Sequence, residues 1–426
     1  MELLREGSRG PGVQMLQLAL SRAGFLESKP DGIFGPQTRQ AVILFQAQNG
    51  LAADGVVGPK TWAALRPWLT GYLRYTLVRG DTLWKLAQHF GTTVQAIQTA
   101  NVGLIPNALP VGREIVIPLG FAVVPTNIAY SSALVELIAE GLSVRYPFIS
   151  SGVVGTSVQG RPLPALALGR GRKRVFFNAS HHANEWITTP VVLKYLEEYA
   201  EAVASDGTVF GYSARDLFSY TKLYIAPLVN PDGVDLVTGA IGRDSPAYEQ
   251  ALALAQNYPS IPFPNGWKAN LAGVDLNLNY PAGWEEAREI KYAQGFTRPG
   301  PRDFVGPEPL SEPESRALFD FSVNTNFDLT LSYHAQGRII YWKYDGYEPP
   351  RSYEIAVAMG EASGYTVEET PYASGFAGYK DWFIQSYNRP GYTIEVGLGV
   401  SPLPLSQFPS IYRDNIGIMT LALVEA

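Results

Sequence analysis

From residue 122 onward, short apolar runs alternate with longer stretches of helical period, and this alternation constrains the fold more tightly than any other feature of the chain. Residues 174–179, 222–227 and 329–333 are largely apolar and too short for buried helices. Residues 339–342 and 392–396 read the same way. Strands without polar alternation are covered on both faces. Separated by helices, such as the one expected over residues 189–202, they pair in a parallel or mixed sheet. The expected fold class for residues 122–426 is α/β, a mixed sheet flanked by helices on both faces.

Three of the chain's four histidines follow two of these runs. His181-His182-Ala183-Asn184-Glu185 comes just after the run ending at Ala179, and His334 just after the run ending at Tyr333. Open α/β sheets place their sites at the C-terminal ends of strands. His182-x-x-Glu185 offers an imidazole and a carboxylate to one ion, and His334 offers a third donor. Two histidines and a glutamate with one open position form a catalytic zinc arrangement, and that donor set suits Zn2+. The expectation is one Zn2+ per catalytic domain, held by His182, Glu185 and His334, with His181 a neighbour.

At 426 residues the chain is too long for one ordinary core, so two or three domains are expected. A net charge of −6 argues against a nucleic-acid surface. With no cysteine, disulfides, thiolate metal sites and cysteine nucleophiles are excluded. No segment approaches the roughly 20 apolar residues of a membrane span. The first residues lack a basic stretch followed by an apolar one, so localisation is inferred from what the domains bind.

The first 70 residues hold a duplicated phrase, Asp31-Gly32-Ile33-Phe34-Gly35-Pro36-Gln37-Thr38 and Asp54-Gly55-Val56-Val57-Gly58-Pro59-Lys60-Thr61. Each copy reads as an Asp-Gly turn followed by a helix with proline in its first turn. Val13, Leu16 and Leu20, then Ala41, Leu44 and Phe45, keep helical spacing and mark core faces. Residues 1–70 resemble a peptidoglycan-binding three-helix domain. Residues 73–119 read as strand, helix, helix, strand, with Asp81 capping the first helix and Trp84 and Leu86 in its core. The phrase Val78-Arg79-Gly80-Asp81-Thr82-Leu83-Trp84 is similar to that of a LysM module. That resemblance implies binding of N-acetylglucosamine chains through loops at Gly80, Asp81 and Thr82 and at Asn107, Ala108 and Leu109.

Residues 122–426 resemble the zinc carboxypeptidase family through His182-Ala183-Asn184-Glu185, His334, Asn230-Pro231-Asp232-Gly233, Gly273-Val274-Asp275-Leu276-Asn277 and Thr393-Ile394-Glu395-Val396-Gly397. The resemblance implies that Asp275 holds a ligand histidine by its second nitrogen and that Glu395 is the general base. Glu395 is also costly to bury without a role. Lys268 falls where the family has an oxyanion-stabilising arginine, and Tyr372 near its mobile tyrosine. Lys268 as surface charge and Tyr372 as packing are the plain alternatives.

One position departs from the family. The arginine that follows the segment's asparagine, and with it clamps a terminal carboxylate, is Leu278 here, after Asn277. Leucine has no donor for a carboxylate, so chains that continue beyond the cut become acceptable. With two wall-binding modules, the arrangement resembles the γ-D-glutamyl-diamino acid endopeptidases, which cut peptidoglycan stem peptides. Modules held close by short linkers raise the enzyme's effective concentration at the wall. Lys380, in Tyr379-Lys380-Asp381-Trp382, is expected either to pair with a carboxylate of the diamino acid or to be a surface charge at a helix start. Expected partners are glycan chains and stem peptides, and the expected location is extracytoplasmic or wall-associated. Two other readings stay open. One is a carboxypeptidase with Arg298 or Arg338 replacing the missing clamp. The other is a non-catalytic wall-binding protein.

Overall fold

A computed structural model describes residues 2–426. It begins with three helices, α1 (Pro11–Arg22), α2 (Pro36–Gln48) and α3 (Pro59–Thr70), each opened by proline after a glycine. The duplicated phrase has a structural cause. The amide of buried Gln17 donates to Asp31 Oδ1 at 2.7 Å, to Ile33 O and to Thr38 Oγ1, and its oxygen accepts from Gly32 N at 2.9 Å. Gln46 repeats the same four bonds with Asp54, Val56, Thr61 and Gly55. A buried amide satisfied on every side fixes each turn, so the phrase is a packing device. Val13, Leu16, Leu20, Ala41 and Phe45 are buried, whereas Leu44 is 50% exposed.

Next come β1 (Tyr72–Thr76), α4 (Leu83–Phe90), α5 (Val94–Ala100) and β2 (Glu114–Pro118), with β1 and β2 antiparallel. The cap of α4 is Thr82, whose hydroxyl accepts from Lys85 N, while Asp81 instead accepts from Val78 N at 2.8 Å. Leu86 is core, but Trp84 is 65% exposed, against expectation.

The remaining elements are α6 (Ser132–Arg145), β3 (Ile149–Thr156), β4 (Pro162–Gly169), β5 (Lys173–Ala179), α7 (Thr188–Ser205), β6 (Thr208–Val209), β7 (Tyr212–Ser213), α8 (Ala214–Tyr220), β8 (Thr221–Ala226), α9 (Pro231–Thr238), α10 (Pro246–Ala255), α11 (Trp284–Ala293), α12 (Pro313–Thr325), β9 (Leu329–Ala335), β10 (Ile339–Tyr341), α13 (Ser352–Ser363), β11 (Thr366–Glu368), α14 (Tyr379–Tyr387), β12 (Gly391–Val396) and α15 (Phe408–Glu425). Eight strands form one mixed sheet in the order β11-β10-β12-β9-β5-β8-β4-β3. Its centre, β12-β9-β5-β8, is parallel. Val175 and Phe177 of β5 enter one apolar cluster with Tyr195 and Leu421, and Phe176 enters the opposite one with Leu318 and Phe383. The absence of polar alternation along β5 follows from helices on both faces. Among the described residues no helix is long and apolar enough to cross a membrane.

The first module is not loosely tethered. Its core is continuous with that of the sheet region. Arg22 Nη2 donates to Ala122 O at 2.7 Å, and Gln14 Oε1 accepts from Ala129 N at 3.1 Å. Helix α6 packs closely on α3: a Cβ on Gly141 would lie 2.1 Å from Thr70 O. Contact between α5 and α7 is lighter, with Gln95 Nε2 donating to Ala204 O at 2.8 Å. Beside it opens a crevice of about 450 Å³ that holds none of the histidines.

Candidate active site

The site sits where β5, β9 and β12 end side by side. Ser180 leaves β5 in the left-handed region, φ 56°, with its hydroxyl bonded to Thr188 and Thr189, and this turn throws His181 and His182 across the sheet edge. Such a conformation in a non-glycine residue persists only where its surroundings hold it. Strand β9 runs two residues past Tyr333, so His334 lies within the strand rather than after it. Register places Glu395 of β12 opposite His334.

Donor atoms of His182, Glu185 and His334 all lie within 4.8 Å of one another. The two Nδ1 atoms face each other at 3.2 Å, and the Glu185 oxygens lie 3.0 Å from one and 3.1 Å from the other. Tetrahedral ligands at zinc-like bond lengths stand roughly 3.3 Å apart. The three residues therefore fit a single ion. His182 Nε2 is taken by Asp275 Oδ1 at 3.0 Å, so Nδ1 is the atom left for a metal. Burial acts to lower the His182 pKa, but the Glu185 and Asp275 carboxylates outweigh it and push it up to about 9. A surplus of carboxylate around this imidazole attracts a cation.

His181 is the neighbour expected of it. Burial holds its pKa well below the usual value, and Nε2 meets Tyr280 OH at 3.0 Å. The Asn230 amide braces the turn, donating to His181 O and Ala269 O. Lys268 is not a surface charge: its Nζ lies 3.0 Å from Glu185 Oε1. Glu395 Oε2 accepts from Gln336 N at 3.0 Å; burial raises its pKa and the Glu185 carboxylate adds to the rise, against His334. A carboxylate with raised proton affinity suits a general base.

A cavity of about 210 Å³ opens beside the cluster, lined among others by Asn277, Leu278, Lys380 and Glu395. Asn277 Oδ1 accepts from Tyr379 N at 3.1 Å. Leu278 packs with Trp284, Ala287, Val305 and Ala377. Lys380 is buried, not a surface charge, and its Nζ donates to Lys343 O at 2.7 Å and to Asp381 Oδ1 at 2.5 Å. Its carboxylate partner in this structure is thus Asp381. Tyr372 is 72% exposed and packs against Phe376 outside the cavity, which takes Pro371 and Ser374 from the same segment. Neither Arg298 nor Arg338 reaches the cavity; the first is exposed, and the second pairs with Asp414 at 3.5 Å.

Sequence reasoning missed Lys291, Arg302 and Asp303, which line the same cavity. Asp303 Oδ1 takes Lys291 Nζ at 2.8 Å, its other oxygen takes Arg302 Nε, and its backbone N donates to Asp275 Oδ2 at 3.2 Å. The only signal in the chain was Arg-Asp after the breaker run Pro299-Gly300-Pro301.

In the second module, Gly80, Asp81, Thr82, Asn107 and Leu109 line one groove of about 540 Å³ with exposed Trp84; Ala108 does not. The side chains of Asp81 and Thr82 are engaged by their own loop and helix.

Residues 136–416 match the family described as zinc carboxypeptidase, residues 9–65 a peptidoglycan binding domain and residues 75–118 a LysM domain. The chain is 41% identical over 300 residues to Gamma-D-glutamyl-L-diamino acid endopeptidase 1 of Lysinibacillus sphaericus, covering 70% of this chain and 72% of that one. It is 38% identical over 340 residues to uncharacterized protein YqgT of Bacillus subtilis (strain 168), covering 79% and 86%. Among solved structures, carboxypeptidase A from Helicoverpa armigera aligns with TM-score 0.53 at 19% identity, covering 81% of each chain. Bovine thrombin-activatable fibrinolysis inhibitor, in complex with tick carboxypeptidase inhibitor, aligns with TM-score 0.53 at 18% identity, covering 70% of this chain and 97% of that one. Those two alignments share the fold. With its family match spanning most of the chain, this protein belongs to the zinc carboxypeptidase family.

Proposed function

We propose that the chain is a zinc-dependent peptidoglycan endopeptidase that hydrolyses the amide between γ-D-glutamate and a diamino acid such as diaminopimelate in wall stem peptides. The observation that carries this reading is Leu278, which occupies the cavity wall beside Asn277 and is closed into an apolar cluster. A wall of that kind offers no clamp for a terminal carboxylate. The name of the Lysinibacillus sphaericus relative agrees with this substrate.

His182, Glu185 and His334 would hold the zinc. When bound, zinc polarises the scissile carbonyl and makes water acidic enough to attack at neutral pH. Glu395 accepts the proton from that water and returns it to the departing amine. Lys268 supplies positive charge where the carbonyl oxygen becomes negative; it is a point charge without the fork of an arginine. Asp275 keeps His182 in the tautomer that presents Nδ1. Lys380 and Asp381 together offer both charges to the zwitterionic end of the diamino acid. The two N-terminal modules hold the enzyme on glycan strands outside the cytoplasm.

Lys291 and Arg302 in the same cavity favour a second reading, a carboxypeptidase whose clamp has moved to those cations. A stem tripeptide and its form amidated at the diamino acid carboxylate discriminate. The endopeptidase cuts both at comparable rates, and a large loss on amidation defeats the first reading. A non-catalytic wall-binding protein would show no cleavage in either case.

A further inference from the structure

Arg302 and Lys268 are the two residues shared by the metal-site cavity and a second, open groove of about 580 Å³. The cavity carries both signs of charge, with Asp303, Asp381 and Glu395 among its carboxylates. The groove is different. Apart from Arg302 and Lys268 its polar lining is neutral, with Asn184, Asn265, Gln336 and Ser401. A passage gated by two cations and free of carboxylates suits an anion.

We infer that Arg302 reads the free α-carboxylate of the γ-linked D-glutamate, so that this residue selects γ-glutamyl substrates over peptides whose acyl residue has no carboxylate at that distance. The inference rests on the substrate proposed above. If the diamino acid enters the cavity beside Leu278 and Lys380, the acyl half of the substrate passes over Lys268 and Arg302 into the groove. In a γ-linked glutamate two methylenes separate the scissile carbonyl from the carbon bearing the carboxylate, so that anion sits roughly 5 Å from the reacting carbon. Most α-linked residues have no anion at that distance; an α-linked glutamate carries its side-chain carboxylate there but bears its nitrogen on the carbon next to the scissile carbonyl, where the γ-linked form has a methylene.

Of the two cations, Lys268 is committed to the metal site through Glu185. Arg302 is held differently. Asp303, in the left-handed region at φ 64° and anchored to Asp275 through its backbone N, grips the guanidinium only through Nε. The Nη groups donate to no protein acceptor among the described residues, and the side chain is 40% exposed. A guanidinium fixed at one edge and free at the other is suited to paired donation to a carboxylate.

The test compares kcat/KM on two synthetic peptides, L-Ala-γ-D-Glu-diaminopimelate and the same peptide with the glutamate α-carboxylate amidated. The wild-type, zinc-loaded enzyme should prefer the free carboxylate by roughly 10- to 100-fold, the range for a charge-assisted hydrogen bond. In Arg302→Gln the preference should collapse through loss on the carboxylate peptide alone, and Arg302→Lys should fall between. Equal cleavage of both peptides by the wild type, or an equal loss on both in Arg302→Gln, overturns the role of Arg302; measured zinc content exposes a metal effect as the second of these. If the wild type cuts neither peptide, the proposed substrate itself is wrong, and the role of Arg302 fails with it.

Discussion

Asp275 Oδ1 and His182 Nε2 lie 3.0 Å apart, and that contact decides which imidazole nitrogen faces Glu185 and His334. The same carboxylate accepts from Asn277 N and Asp303 N. One buried group thus sets the metal ligand, the cavity wall and the Arg302 loop together. Asp275→Asn keeps the shape but removes the charge that fixes the tautomer. Zinc affinity should fall about 10- to 100-fold, measured by competition with a chelator of known affinity.

Glu314, in the first turn of α12, is buried and accepts from Val158 N at 3.0 Å and Asn270 Nδ2 at 3.2 Å. Burial pushes its pKa up to about 7. Because the folded value is raised, the stability contribution of the neutral acid is fully present below the unfolded pKa near 4.5. It is lost as pH rises through 7. Glu314→Gln should therefore match wild type near pH 4 and be more stable at pH 8, by about 3 kcal/mol at most. Paired thermal melts at the two pH values check this, and a variant less stable at pH 8 would contradict it.

Gly141 lets α6 approach α3, and a Cβ there would meet Thr70 O at 2.1 Å. Gly141→Ala should cost about 1–3 kcal/mol and loosen the first module while leaving zinc content unchanged. Faster proteolytic nicking between residues 71 and 131 is the expected readout.

Trp84 stands exposed at the rim of the LysM groove. Trp84→Ala should weaken sedimentation with purified wall about tenfold, as for an interface anchor, with no change in melting temperature. Unchanged binding would place glycan recognition elsewhere.

The sheet and the metal centre were legible because both rest on local pattern. Strands buried on two faces lose polar alternation, as β5 does, and ligands at strand ends lie next to those strands in the chain. Leu278 was equally plain, a single departure inside a recognisable segment. Trp84 was misplaced because its exposure depends on neighbours that no periodicity records. Arg302 and Lys291 come from an irregular loop and from α11, and only Asp303, held in a left-handed turn, brings them together. The buried amides of Gln17 and Gln46 were missed for the same reason: their partners lie on the following turn and helix.

With Glu395 beside it, the metal cluster is proposed to cut the γ-D-glutamyl–diamino acid bond of wall peptides. Mass analysis of purified muropeptides after digestion, with and without a chelator, tests it most directly. Products separated at that amide, lost with chelator and restored by zinc, are expected. Cleavage at another bond, or cleavage indifferent to the chelator, would contradict it.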